Sequence, residues 1–147
     1  MYSAFAIANS FIKRAKEKGV KDMTPMKLQK IMFYAQSHYL NINGVESPLF
    51  DDFFARWRHG PVIPSVYHKF KDFGSSSISK YATNASGDIP IVSDRNYSVI
   101  SFIDSVLDAY GKYSGEQLSS MTQQSVTAWK KPDWSVITNQ ELYEQNI

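Results

Sequence analysis

The densest run of chemically capable side chains in this 147-residue sequence is FARWRHGPVIPSVYHKF, residues 54–70. It holds two Arg, two His and four aromatic residues around one Gly and two Pro. Arg and His can contact anions, nucleic acids or reacting groups, whereas Gly and Pro are typical of turns. The stretch is therefore either a chemical site or a rigid turn that displays polar and aromatic side chains.

The histidines lack the spacing of a metal site. None of His38, His59 and His68 lies three or four residues from another, the separation that places two ligands on one helix face. His38 falls beside the apolar stripe of a predicted helix, so we expect it to be packed or hydrogen-bonded. The chain also has no Cys, which excludes disulfides, thiolate nucleophiles and Cys-based zinc sites.

The sequence contains no catalytic motif either. Asp51 and Asp52 are adjacent, so on an extended segment their side chains point to opposite faces and we expect solvation or capping. The glycines are scattered singly, without a phosphate-binding loop, and there is no nucleophile elbow. A Ser, His and Asp brought together from distant parts remains open. The sequence favours a protein that is not an enzyme, with no catalytic residue, no metal and no cofactor.

The charge is uneven along the chain, although the net charge is only +2. Residues 1–30 hold seven Lys and Arg against two acids, and residues 97–147 hold three Lys against six acids. This pattern fits a polyanion or acidic protein partner, or two complementary faces of one domain, and we favour the second. A DNA-binding helix pair at the basic end is disfavoured because the linker 19–23 is long for a helix-turn-helix.

Apolar spacing and capping residues predict about seven helices. They are residues 3–18, 24–43, 64–73 and 93–110, a short helix from Ser114 through Met121, one holding Val126 and Trp129, and a last turn or two from Thr138 through Leu142. Residues 53–58 are predicted to be a strand, with weaker strand signals at 78–82 and 89–92. We expect Trp129, Trp134 and Tyr143 to pin the C-terminal tail onto the body.

These elements predict a fold that is mainly α. It would be a compact single-domain bundle of about six to seven helices with a small β-hairpin or edge-strand element, and residues 1–147 would form one domain. Residues 1–11 have neither the basic region nor the apolar run of a signal peptide, and no segment reaches ~20 apolar residues. With the lack of Cys, this favours the cytoplasm.

Three segments together resemble the Panacea (SocA-like) antitoxin family, which includes phage-associated Gep-type proteins. They are MTPMKLQKIMFYAQSHYL, PLFDDFFARWRHGPVIPSVYHKF and VLDAYGKYSGEQLSSMTQQSVTAW. Their order and spacing cover about residues 24–131. Seven positions match structural residues of the family motifs: Leu28, Gln29, Trp57, Gly60, Pro61, Pro64 and Trp129. The sequence departs from the family where a His and an acid commonly precede the last Trp, because it has residues 121–125 as MTQQS there.

The resemblance implies a mostly helical antitoxin of a two-gene toxin–antitoxin pair, a phage-defence system among the possibilities. Such an antitoxin neutralises its cognate toxin by direct protein–protein binding, and the family's toxins include ones similar to alarmone synthetases. Two alternatives are a proteolytic adaptor that delivers a toxin to a protease and a DNA-binding autorepressor. Nothing implies a membrane partner, and the oligomeric state stays open.

The chain is 14% aromatic, and interfaces are enriched in Tyr, Trp, Phe and Arg. We predict partner contacts on side chains that leave the apolar stripes and match the family motifs. They are Lys27, Lys30 and Tyr34 on the second helix, and Arg58, His59 and Tyr67 near the turn.

Overall fold

The computed structural model describes residues 1–124 and 127–147. These residues form six α-helices: α1 (Ala4–Glu17), α2 (Pro25–Asn43), α3 (Pro64–Phe70), α4 (Tyr97–Tyr110), α5 (Gly115–Thr122) and α6 (Asn139–Glu144). They also form five short strands: β1 (Tyr2–Ser3), β2 (Phe50–Asp51), β3 (Phe54–Trp57), β4 (Gly60–Val62) and β5 (Val136–Ile137). A 3-10 turn, Lys71–Phe73, continues α3. The predicted mainly α class with a small β element is confirmed.

The second helix is the centre of the molecule. The side chain of Thr24 accepts a hydrogen bond from the Lys27 amide, and Pro25 occupies the first turn, where its missing N–H is harmless. The other five helices pack around α2, and every residue from Lys27 to Ser37 is buried. From Lys27 to Ser37 the helix is therefore enclosed on all sides rather than along one stripe, and Gly44, whose φ is 100°, follows its last residue.

The capping residues predicted from the sequence are observed. Ser114 with Gln117 opens α5 as a reciprocal capping box, and Thr138 with Glu141 opens α6 in the same way. Ser3, predicted as the first residue of the first helix, instead caps α1 by accepting from the Ala6 amide over 3.1 Å. Short polar motifs thus fix the starts of the peripheral helices.

Cations on or beside α1 pair with acids on or beside α4. Arg14 forms a bidentate pair with Asp104, with both N···O distances 2.8 Å, and this carboxylate raises the pKa of the guanidinium. On either side, Lys13 pairs with Asp94 at 3.2 Å and Lys18 with Asp108 at 2.9 Å. The interpretation of the uneven charge as two complementary faces of one domain agrees with these pairs.

The strands form two small sheets. β1 pairs in parallel with β2, and β3 lies between β4 and β5 with antiparallel pairing to both. Trp57 lies opposite Gly60 in the β3–β4 hairpin. The turn therefore falls at Arg58 and His59, whereas Gly60 and Pro61 begin β4.

Two weak strand predictions are wrong, and a helix start is displaced. Residues 78–82 and 89–92 are not strands. Instead, the fully buried amide of Asn9 in α1 donates to the carbonyls of Ala82 and Pro90, each over 2.9 Å, and accepts from the Ala82 amide over 2.8 Å. A side chain here supplies the hydrogen bonds that a neighbouring strand would give. α4 begins at Tyr97 rather than at Ser93 or Asp94, because Asn96 caps it.

The C-terminal tail is held differently from the prediction. Trp129 is buried at 5% exposure, but Trp134 is 64% exposed and Tyr143 is 37% exposed, so those two do not pin the tail. The buried Leu142 and the bond from the Ser37 hydroxyl to the Leu142 carbonyl, over 2.8 Å, attach α6 to α2. Of the helix predicted around Val126 and Trp129, Val126 lies outside the described residues, and Trp129 lies in a turn.

Within the described ranges, no helix is both long and apolar enough to span a bilayer.

Candidate protein-interaction cleft

A cleft of about 350 Å³ opens between the start of α2, the β3–β4 turn, α3 and the segment before β5. Its lining is mainly apolar and aromatic, with polar and basic side chains among it: Pro25, Met26, Gln29, Lys30, Trp57, Arg58, His59, Val62, Tyr67, Lys71, Gly74 and Trp134. None of these described lining residues is acidic. We call this the aromatic cleft.

Three aromatic rings form one wall of the aromatic cleft. The Trp57 ring meets the Tyr67 ring edge-on, with centroids 5.0 Å apart and an interplanar angle of 68°. Its centroid lies 5.8 Å from that of Trp134. Tyr67 is 38% exposed, so with Trp134 it presents a contiguous aromatic surface to solvent. Such a surface is a feature of protein interfaces.

Lys30 lies at the floor of the cleft with only 2% of its surface exposed. Its Nζ donates to the Pro61 carbonyl over 3.0 Å. Burial away from water disfavours the charged form and lowers the pKa of Lys30 to about 7. In the described part of the chain, no carboxylate lies within ion-pair distance of this ammonium.

The turn that carries Arg58 and His59 is held from beneath. The Gln29 amide exchanges two hydrogen bonds with the backbone of Ile63, at 3.1 and 2.8 Å. The Ser119 hydroxyl of α5 donates to the His59 carbonyl over 2.5 Å. The Trp129 indole N–H donates to the Trp57 carbonyl over 2.8 Å. These hydrogen bonds fix the backbone at the rim of the cleft, so Arg58 and His59 lie on a held turn rather than on a free loop.

Gly60 has a conformation and a location that suit few other residues. Its φ is 113°, and a Cβ there would lie 2.8 Å from the Thr122 hydroxyl oxygen and 3.2 Å from Lys30 Cε. The absence of a side chain lets α5, the turn and the buried lysine approach one another.

Arg56 positions the exposed Trp134. The Arg56 side chain is 7% exposed and donates to the carbonyls of Ala128, Trp129 and Val136, with N···O distances of 2.9–3.2 Å. It also pairs with the Glu141 carboxylate. Burial opposes ionisation of Glu141, but the hydrogen bond from the Thr138 amide and the charge of Arg56 together lower its pKa. The Arg56 backbone carbonyl accepts from the Trp134 amide over 2.9 Å. Arg56 thus ties the C-terminal segment to β3.

The structure divides the six predicted contacts into two groups. Arg58, His59 and Tyr67 are exposed and lie together around the aromatic cleft. Lys27, Lys30 and Tyr34 are 3%, 2% and 4% exposed, so the expectation that they leave the apolar stripe for solvent is wrong. The reason is that other elements surround α2 over residues 27–37.

The buried members of that second group have internal partners. Lys27 Nζ donates to the carbonyls of Lys21 and Gly111, at 2.9 and 2.6 Å, and its burial lowers its pKa. The Tyr34 ring stacks on Tyr110, with centroids 4.2 Å apart, and burial raises its pKa to about 12. The Tyr110 hydroxyl in turn lies 2.6 Å from His38 Nε2, so His38 is hydrogen-bonded as expected.

Sequence reasoning missed Trp134, Lys71 and Met26 as cleft residues. The sequence predicts that Trp134 pins the C-terminal tail onto the body, because large aromatic side chains usually pack against apolar surface. Its backbone has φ 65°, and its position beside Trp57 depends on the pairing of β5 with β3. Neither feature has a signal in the sequence.

A larger cavity of about 580 Å³ lies between α1 and residues 77–81. Its walls carry Lys16, Lys21 and Lys80 together with Asp22, all of them exposed. It contains neither a cluster of aromatic rings nor a buried charge. We therefore place the candidate site at the aromatic cleft.

Comparison with known proteins bears out the resemblance seen in the motifs. The profile of the family described as "Antitoxin SocA-like, Panacea domain" matches residues 28–130. Antitoxin SocA of Caulobacter vibrioides (strain NA1000 / CB15N) is 32% identical over 130 residues, covering 86% of this chain and 68% of the relative. No solved structure matches the chain significantly.

Proposed function

Because this chain belongs to the SocA-like antitoxin family of Panacea-domain proteins, we propose that it neutralises a cognate toxin by binding it directly. The chain then acts by protein contact rather than by catalysis. The toxin is a protein encoded beside it in a two-gene pair, and residues 1–147 work as one antitoxin domain.

The observation that carries this proposal is the aromatic cleft. Trp134 and Tyr67 are large and exposed, and each packs against Trp57; such rings are the usual anchors of a protein interface. Arg58, His59 and Lys71 lie around them, so the cleft favours a partner surface that is acidic and apolar.

Among the residues predicted as contacts, we propose that Arg58, His59 and Tyr67 touch the toxin. Lys30 supports the turn beneath them through Pro61. Lys27 and Tyr34 contribute to the packing of α2 and affect binding only through the fold.

The pairing of α1 with α4 favours a protein partner over DNA. The cations Lys13, Arg14 and Lys18 are paired with carboxylates on or beside α4. Phosphate contacts would require these pairs to open, because each acid competes with the backbone of DNA for the same cation.

Direct neutralisation is tested with purified components. The toxin encoded beside this gene is assayed alone and with increasing antitoxin, in the absence of any protease. We expect stoichiometric inhibition and a complex that co-elutes on gel filtration. Arg58→Glu should weaken inhibition at least tenfold, while Arg95→Glu, an exposed arginine away from the cleft, should inhibit like the unaltered chain.

A toxin that stays fully active beside excess antitoxin would contradict the proposal. If that same toxin then disappeared from cells only when a protease was present, the adaptor alternative would replace direct neutralisation.

A further inference from the structure

The floor of the aromatic cleft contains a cation whose hydrogen bonds are only partly satisfied. An ammonium group has three N–H donors. The Pro61 carbonyl takes one of them at 3.0 Å, and within residues 1–124 and 127–147 no carboxylate is close enough to form an ion pair. Buried charges in proteins are normally paired.

The surroundings of Lys30 suit an anionic group attached to an apolar one. Trp57, Val62 and Trp134 provide apolar walls above the lysine, while Arg58 and Lys71 add positive charge at the rim. The volume of about 350 Å³ is at the lower end of the range for ligand pockets, roughly 300–1,000 Å³. That space suits one or two side chains better than a large cofactor.

We infer that the cleft receives a carboxylate side chain of the toxin, presented next to a bulky apolar side chain, and that Lys30 is its ion-pair partner. The inference rests on the proposed function, because it names the chemistry by which the toxin is recognised. A carboxylate satisfies the free donors of the ammonium, and the neighbouring apolar side chain packs against Trp57 and Trp134.

The burial of Lys30 adds a pH dependence to this recognition. In the unbound protein, burial lowers the pKa of Lys30 to about 7, so the side chain is largely deprotonated above that pH. It must then regain a proton to pair with a carboxylate. The other titratable or charged groups that face it across the cleft are Arg58, His59, Tyr67 and Lys71. Substitution of Lys30 separates its contribution from theirs.

The test uses two capped dipeptides, acetyl-Phe-Glu-amide and acetyl-Phe-Gln-amide, titrated into the full chain and followed by Trp fluorescence and amide NMR shifts. The peptides differ only in the carboxylate. At pH 7 we expect the Glu peptide to bind about tenfold more tightly, with shifts centred on Trp57, Arg58 and Trp134. Its affinity should fall by up to tenfold per pH unit from pH 7 to 9, while that of the Gln peptide should stay constant.

Lys30→Met should remove most of the preference for Glu and its fall between pH 7 and 9, leaving only the small share from Arg58 and Lys71, whereas Lys69→Met, an exposed lysine on α3 outside the cleft, should keep both. Equal affinity of the two peptides, no binding of either, or an undiminished preference for Glu in Lys30→Met would overturn the inference. The peptide comparison on the unaltered chain remains decisive even if Lys30→Met fails to fold. Toxin inhibition is measured separately, so the inference can fail while the proposed function holds.

Discussion

The Lys30 ammonium donates a hydrogen bond to the Pro61 carbonyl across 3.0 Å, which joins the central helix α2 to the strand that follows the Arg58–His59 turn. The neighbouring Gln29 side chain binds the backbone of Ile63 in the same way. Two consecutive polar residues of a buried helix therefore fix the position of the turn. The exposed side chains proposed to contact the toxin are held by buried ones.

Replacing Lys30 with Met should change how stability depends on pH. The pKa of Lys30 is about 7 in the folded chain and about 10.4 when unfolded, so between these values the unfolded state binds more protons. The unfolding free energy of the unaltered chain should therefore rise with pH relative to Lys30→Met, by up to about 1.4 kcal/mol per pH unit. Urea unfolding at pH 7, 8 and 9 measures this slope.

Lys16→Met is the matched control, because Lys16 is exposed on α1. The unfolding free energy of Lys16→Met should change with pH in the same way as that of the unaltered chain. Parallel pH profiles for the unaltered chain and Lys30→Met would contradict the burial of a titrating lysine.

Gly60→Ala should destabilise the chain by at least about 2 kcal/mol, because it adds strain at φ 113° to a close contact with Thr122. Gly87→Ala is the control: its φ is 83°, but a Cβ there meets nothing within 4 Å. We expect Gly87→Ala to lower the free energy of unfolding by only about 1 kcal/mol, because only the backbone conformation is strained. Equal losses of stability in Gly60→Ala and Gly87→Ala, measured by thermal or urea unfolding, would show that the close contact with Thr122 contributes little.

Arg56→Ala should cost about 3–5 kcal/mol, since it removes a buried cation and leaves the Glu141 carboxylate and several carbonyls without their donor. Arg58→Ala, two residues along the same hairpin but exposed, should change stability by less than about 0.5 kcal/mol. Urea unfolding of both variants measures the difference. A mild effect of Arg56→Ala would mean that the C-terminal segment is held without it.

The contact between α1 and α4 can be measured with a double-mutant cycle. Arg14 and Asp104 are bidentate, and each side chain is less than a quarter exposed, so Arg14→Ala and Asp104→Ala should show a coupling of about 1 kcal/mol. The cycle for Lys13 and Asp94, where Asp94 is 75% exposed, should give a coupling near zero. Similar couplings in the two cycles would argue against a special role for the bidentate pair.

Much of the fold could be predicted because its signals are local. Thr24 with Pro25, Ser114 with Gln117, and Thr138 with Glu141 each specify a helix start within four residues. The strands β1, β2 and β5 have only two residues each, too few for an alternation pattern, so they could not be predicted. The segments 78–82 and 89–92 carry weak strand signals. Their backbone groups at Ala82 and Pro90, however, form hydrogen bonds with the side chain of Asn9, which is far away in sequence.

The candidate site could be predicted only in part for a related reason. Arg58, His59 and Tyr67 lie close together in sequence, and the hairpin and α3 place them side by side. Lys30 was expected at the surface because a charged residue beside an apolar stripe is normally exposed. Its burial depends on five helices that surround α2, and the contribution of Trp134 depends on a strand pairing across about 80 residues.

The claim that the aromatic cleft binds the toxin is tested most directly by calorimetric titration of the toxin with Trp134→Ala. Tyr97→Ala is the matched control, because Tyr97 is 76% exposed at the start of α4, outside the lining of the cleft. We predict that Trp134→Ala raises Kd by about 30-fold or more, corresponding to a loss of about 2 kcal/mol, as expected of an interface anchor. Tyr97→Ala should leave Kd within about twofold, a difference worth less than about 0.5 kcal/mol. Unchanged affinity in Trp134→Ala, with an intact fold, would contradict the account.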